Sequence, residues 1–121
     1  MLDKIPKNVS DILQEFVKGA NNIFGDRLKK VILYGSYARG DFNKHSDIDI
    51  MILTDLVDGE MGEYQDKIWD YAYDIECENN FNISLSVLVK NIDRFNYWLE
   101  ALPFYMNIRN EGVILSDWKN F

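Results

Sequence analysis

Gly35-Ser36, followed after ten intervening residues by Asp47-Ile48-Asp49, is the part of this sequence whose residue types and spacing can do chemistry. Gly35 ends the run Val31-Ile32-Leu33-Tyr34 at a point where a side chain would block an approaching phosphate and where glycine can take a positive φ. Ser36 and the amides after it open a turn or helix, and N–H groups so placed can hold phosphate oxygens. Asp47 and Asp49 stand two apart on a predicted strand, so both carboxylates leave one face with Cα atoms about 7 Å apart. That separation suits one Mg²⁺, or two ions roughly 3.5–4 Å apart, bridging the phosphates of a nucleoside triphosphate.

Each half of the pattern has an ordinary structural explanation by itself. Glycine-serine turns commonly follow strands, and a D-x-D at a strand start is more often solvated charge than a metal site. Together they weigh differently, because Asp47 and Asp49 alternate onto the same strand face as Met51 and Leu53. They then sit at the mouth of a semi-buried surface, where carboxylates without cations are costly.

The elements that must position these residues follow from hydrophobic period. Val9, Ile12, Leu13, Phe16, Val17, Ala20, Ile23 and Phe24 recur at helical spacing, predicting a helix over about 9–24 with Asn8 as cap and Gly25 as stop. Residues 31–34 read as a buried strand, 37–46 as a turn or short helix and loop, and 47–53 as a second strand whose other face is Ile48, Ile50 and Ile52. Met61, Tyr64, Ile68, Ala72 and Ile75 predict a helix over about 60–77, with Cys77 on its apolar side. Phe81 to Val89 reads as a third strand with Asn82, Ser84 and Ser86 on its polar face. A helix over 91–100, a last helix bracketed by Pro103 and Gly112, and a short edge strand at 113–115 complete the chain. The predicted order is α-β-β-α-β-α-α-β, an α/β fold with helices packed on a small, partly antiparallel sheet.

Composition sets the outer bounds. At 121 residues the chain has the size of one domain, with no linker or repeat, so 1–121 reads as a single unit. Thirteen Lys and Arg against twenty Asp and Glu give a net charge of −7, which argues against direct nucleic-acid binding and against docking to an anionic membrane. One cysteine, Cys77, allows no internal disulfide, and the N-terminus lacks a signal-peptide core. A cytoplasmic location is the expectation.

The run Gly35-Ser36-Tyr37-Ala38-Arg39-Gly40-Asp41, then Ser46-Asp47-Ile48-Asp49-Ile50, resembles the G-S-x10-D-x-D signature of the minimal nucleotidyltransferases of the DNA polymerase β superfamily. The first helix, the helix after the second strand, and Pro103-Phe104-Tyr105 through Glu111-Gly112-Val113 extend the resemblance to stand-alone bacterial and archaeal members over nearly the whole chain. It implies a Mg²⁺-dependent transfer of a nucleotidyl group from a triphosphate. Asp47 and Asp49 would be the metal ligands and catalytic carboxylates; Gly35, Ser36 and Arg39 would contact the nucleotide. Asp41 also matches, and a loop-bracing ion pair with Arg39 explains both residues equally well.

The resemblance further implies an antitoxin paired with a HEPN-type toxin, moving AMP from ATP to a partner tyrosine, in a homo- or hetero-oligomer. One departure bears on activity. The superfamily usually supplies a third carboxylate from the following sheet strand, whereas Asn82, Ser84 and Ser86 offer none here. Asn82 or Ser84 would have to replace it, and neither amide nor hydroxyl is a strong general base. Asp74, Glu76 and Glu78 could serve only if the strand begins earlier. A module that neutralises its partner by binding alone is therefore the second reading. His45 and Lys44 read as exposed loop residues, and Phe95, Tyr97, Trp98, Phe104 and Tyr105 as mostly core with room for an exposed patch.

Overall fold

The computed structural model describes residues 5–115, and its element order is the one the hydrophobic pattern predicts. Helix α1 (Lys7–Phe24) turns its apolar stripe inward, and Gly25, at φ +55°, ends it. The helix begins earlier than predicted: Pro6 holds the cap position, and no side chain caps it, Asn8 included. A 3-10 turn leads into β1 (Leu28–Tyr34), then α2 (Ser36–Arg39), β2 (Ile48–Thr54), α3 (Asp58–Glu78), β3 (Leu85–Asn91), α4 (Ile92–Trp98), α5 (Pro103–Glu111) and β4 (Val113–Ile114).

The sheet order is β3-β2-β1-β4, with β1 antiparallel to both β2 and β4 and β2 parallel to β3 through the α3 crossover. Alternation along β2 divides the core as the sequence predicts. Ile48, Ile50 and Ile52 are fully buried against Phe16, Leu13, Ile68 and Ile75 of α1 and α3. Met51 and Leu53 face the other way, packing with Ile32, Tyr34, Phe95 and Ile108 under α4 and α5. Each fully buried side chain contributes about 1.5–3 kcal/mol of transfer free energy, so both faces clamp the strand that carries the D-x-D.

Three expectations are corrected. The third strand starts at Leu85, not Phe81, because α3 unwinds through Asn80 and Phe81, both at left-handed φ (+56° and +58°). Their amides bond back to the Cys77 and Glu76 carbonyls at 3.0 and 2.8 Å, which closes the helix end as a turn and leaves Asn82 outside the ladder. Cys77 is exposed: it lies two positions beyond Ile75, about 200° around the helix from the buried stripe. Of the aromatic cluster, Phe95 alone is fully buried; Tyr97 is 77% exposed, and Trp98 and Phe104 are exposed as well. Tyr97 lies two positions beyond the buried Phe95 on α4, about 200° around the helix from it.

No helix among the described residues is long and apolar enough to cross a membrane.

Candidate active site

The turn after β1 is built around Gly35. Its φ of +76° and ψ of −156° belong to a region open essentially to glycine. A Cβ at this position would also strike the carboxylate of Asp49, with Asp49 Cγ only 3.1 Å away. The missing side chain therefore makes room for a carboxylate, in addition to the phosphate clearance expected from sequence. The Gly35 carbonyl accepts the amides of Ala38 and Arg39 at 3.1 and 3.0 Å, tying α2 to the strand end. Gly40, left-handed at φ +90°, stops that short helix.

The loop to β2 braces itself. Tyr37 stacks on Phe42 with ring centroids 4.4 Å apart, and the Asn43 amide donates to Ser46 Oγ at 2.9 Å. The His45 amide donates to Asn43 Oδ1, and the His45 and Lys44 side chains are exposed. This loop delivers Asp47, exposed, just ahead of β2, and Asp49, half-buried, as its second residue. Burial, then repulsion from Asp47, pushes the Asp49 carboxyl above the usual range against an opposing pull from Arg39. Tyr34, directly across the ladder from Asp49, has its hydroxyl pushed up to about 12 by burial and by that same carboxylate. Asp49 faces the cavity that glycine keeps open, and Asp47, outside its lining, stands two residues before it. Two carboxylates this close in sequence, one repelling the other, are a donor set that a divalent cation would neutralise, so the residues fit such an ion.

The cleft in front of them has a volume of about 330 Å³, within the range of small-ligand sites. Gly35, Ser36, Arg39 and Asp49 form one side. The other side is α5, through Phe104, Asn107, Ile108 and Glu111, whose i, i+3, i+4, i+7 spacing sets them on one helix face. Arg39 links the two: its Nε donates to Asp41 Oδ2 at 3.2 Å, and its Nη1 to Glu111 Oε2 at 3.4 Å. Hydrogen bonding to Asp41 is the first cause holding the Arg39 guanidinium firmly protonated. The loop-bracing pair anticipated from sequence is present, with Glu111 as an unforeseen third member.

Gly35, Ser36, Arg39 and Asp49 thus line one cleft, with Asp47 just ahead of β2. Tyr34, Phe104, Asn107 and Glu111 belong to the same cleft and were missed by sequence reasoning, although the helical spacing of the α5 residues was a usable signal. The place of the absent third carboxylate also moves. Ser86 pairs with Asp49 in the parallel ladder and projects from the same face, whereas Ser84 precedes the strand and Asn82 lies on the turn. Glu76 does not substitute, since its carboxylate accepts the Leu85 amide at 2.8 Å at the strand entrance. Asp74 and Glu78 lie on α3. Among the described residues, no third His, Cys, Asp or Glu completes a metal-holding group.

The glycine turn at the end of β1 and Asp49 on the adjacent β2 open to one cleft, on a mixed four-stranded sheet covered by helices. The family model for a nucleotidyltransferase domain matches residues 5–115, and the chain belongs to that family. It is a nucleotidyltransferase. Protein adenylyltransferase MJ0604 of Methanocaldococcus jannaschii is 33% identical over 111 residues, spanning 89% of this chain and 98% of that one. Protein adenylyltransferase MJ1305 of the same organism is 43% identical over 120 residues, spanning 95% and 79%. A solved mutant MntA–HpeT toxin–antitoxin structure has the same fold at 15% identity, with a TM-score of 0.51 over 88% of this chain and 77% of that one.

Proposed function

We propose that residues 1–121 act as one Mg²⁺-dependent nucleotidyltransferase domain. It transfers AMP from ATP to a hydroxyl, foremost a tyrosine, of a HEPN-type toxin, and so serves as the antitoxin. The observation that carries the reading is the pairing of Gly35 with Asp49: backbone and carboxylate are packed so closely that only glycine fits, which aligns the phosphate turn with the D-x-D. The named relatives support AMP and a protein acceptor, and the MntA–HpeT toxin–antitoxin structure, one chain of which shares the fold, suggests the class of partner.

In this reading Asp47 and Asp49 hold the metal, while Gly35, Ser36 and Arg39 contact the triphosphate. Bound Mg²⁺ would neutralise the phosphates and the pyrophosphate leaving group. The acceptor hydroxyl's proton passes to solvent water as its oxygen bonds to the α-phosphorus. The α–β phosphoanhydride breaks, and pyrophosphate departs. Arg39 must leave Asp41 or Glu111 in part to reach phosphate, an exchange between exposed ion pairs that costs little.

Mg²⁺ with ATP should raise the melting temperature, whereas ATP without metal should not. Asp47→Asn with Asp49→Asn should abolish the shift and reduce transfer roughly 10³-fold or more. An unchanged shift in that variant refutes the metal site. The second reading, neutralisation by binding alone, draws on Ser86 occupying the place beside Asp49 where a third carboxylate would stand. Intact-mass measurement of the partner after incubation with Mg²⁺-ATP separates the two. The enzyme adds AMP units that persist after the proteins are parted, and Asp47→Asn stops it. The binder adds nothing, and Asp47→Asn leaves its neutralisation intact.

A further inference from the structure

The two sides of the cleft differ in chemistry. The turn side presents glycine backbone, a hydroxyl, a guanidinium and a carboxylate, suited to phosphates and metal. The α5 side presents the Phe104 ring, the Asn107 carboxamide and Ile108, and its one carboxylate, Glu111, is already engaged by Arg39. Phe104 is 47% exposed despite its size, and its ring is held at 85° to the Tyr34 ring with centroids 5.7 Å apart. Tyr34 is buried and pairs with Asp49 across the ladder, so the aromatic face is fixed to the strand pair that carries the carboxylate. Asn107 stands one helical turn from Phe104 on the same side of α5. It is exposed, and its carboxamide has no hydrogen-bond partner among the described residues. The Arg39–Glu111 link holds this wall against the phosphate-facing turn.

We propose that Phe104 and Asn107 form the nucleobase subsite of the cleft: the Phe104 ring stacks on a purine, and the Asn107 carboxamide reads the edge of that base. The proposal rests on the reading that the cleft holds a nucleoside triphosphate. An aromatic face accepts any base, and stacking alone discriminates little. A carboxamide offers a donor and an acceptor side by side, the complement of a purine edge. An acceptor hydroxyl needs only one hydrogen bond and must approach the α-phosphate from the side opposite the leaving group, so a paired donor and acceptor beside a ring favours the base. Base affinity then comes from α5 and phosphate affinity from β1, α2 and β2.

The test compares Mg²⁺-ATP, Mg²⁺-GTP and Mg²⁺-tripolyphosphate binding by calorimetry in the full chain. Wild type should bind one purine triphosphate at least tenfold more tightly than tripolyphosphate. Phe104→Ala should remove roughly tenfold or more of the nucleotide affinity and leave tripolyphosphate affinity unchanged, and Phe104→Trp should retain nucleotide binding. Asn107→Ala should reduce the ratio of ATP to GTP affinity, in whichever direction it lies, towards one. Phe104 is exposed, so the melting temperature of each variant should stay close to wild type. The proposal is overturned if Phe104→Ala weakens both ligands equally, or weakens neither and raises only the KM for the acceptor. Unchanged base preference in Asn107→Ala overturns it too. Tripolyphosphate binding equal to that of ATP in wild type overturns the subsite alone, whereas no binding of any of the three overturns the triphosphate reading with it.

Discussion

Replacing Gly35 with alanine isolates the contact on which the site is built. Two costs arise from one methyl group. Residue 35 sits at φ +76° and ψ −156°, where a non-glycine backbone is strained by about 1–3 kcal/mol. The new Cβ also falls on the Asp49 carboxylate, and overpacking of this kind costs roughly 1–3 kcal/mol. The expected total of about 2–6 kcal/mol is a large share of the ~5–15 kcal/mol typical of a domain. At about 3–6 °C per kcal/mol for this chain length, the melting temperature should fall by at least roughly 6 °C.

A double-mutant cycle separates the two costs. Asp49→Ala alone should not destabilise at neutral pH, because burial and Asp47 already raise the Asp49 carboxyl in the folded state and so disfavour its charged form. Combined with Gly35→Ala, it should recover the collision share and leave the backbone share. Denaturant unfolding of the four proteins gives the coupling directly. A coupling within about 0.3 kcal/mol of zero would show that Asp49 does not overlie Gly35. A loss under about 1 kcal/mol in Gly35→Ala would refute the glycine-only backbone as well.

Further outcomes follow from the register and the charges. Ser86→Asp places a carboxylate beside Asp49, so the melting temperature without metal should fall, the Mg²⁺-dependent rise should grow, and transfer should accelerate; Asn82→Asp, outside the ladder, should change none of these. Equal responses from the two variants, by thermal shift and by transfer rate, would overturn the parallel register as the basis of the site. Arg27 grips Asp55 and, at 2.8 Å, Glu60, and holds both carboxyls below their ordinary values of 3.8 and 4.5. A carboxyl depressed in the folded state contributes stability above its unfolded pKa, and that stability is lost as pH falls through the folded one. In melting curves across pH 7 to 3, Arg27→Ala should therefore be less stable than wild type at pH 7 and converge with it in acid.

Local pattern carried a large part of this protein. The period of β2, with Ile48, Ile50 and Ile52 against Asp49, Met51 and Leu53, was legible because alternation is a property of the strand itself and both faces found the core it implied. The same holds for the α1 stripe and for Pro103 opening α5. The G-S-x10-D-x-D spacing was legible because turn and strand are joined by one short loop. Other features depended on contacts between distant segments. The β3 start was misread because Phe81 to Val89 alternates like a strand from end to end, and only the left-handed closure of α3 at Asn80 and Phe81 moved the start to Leu85 and put Ser86 beside Asp49. Cys77 is a different case: two positions past Ile75, it lies about 200° from the stripe by the helical count itself, so its exposure was already legible in the sequence. The far wall of the cleft had no local signature as a wall. Phe104, Asn107 and Glu111 face Gly35 and Asp49 because α5 docks on the sheet face that Met51 and Leu53 make apolar, and which helix face meets a cleft is decided by that docking.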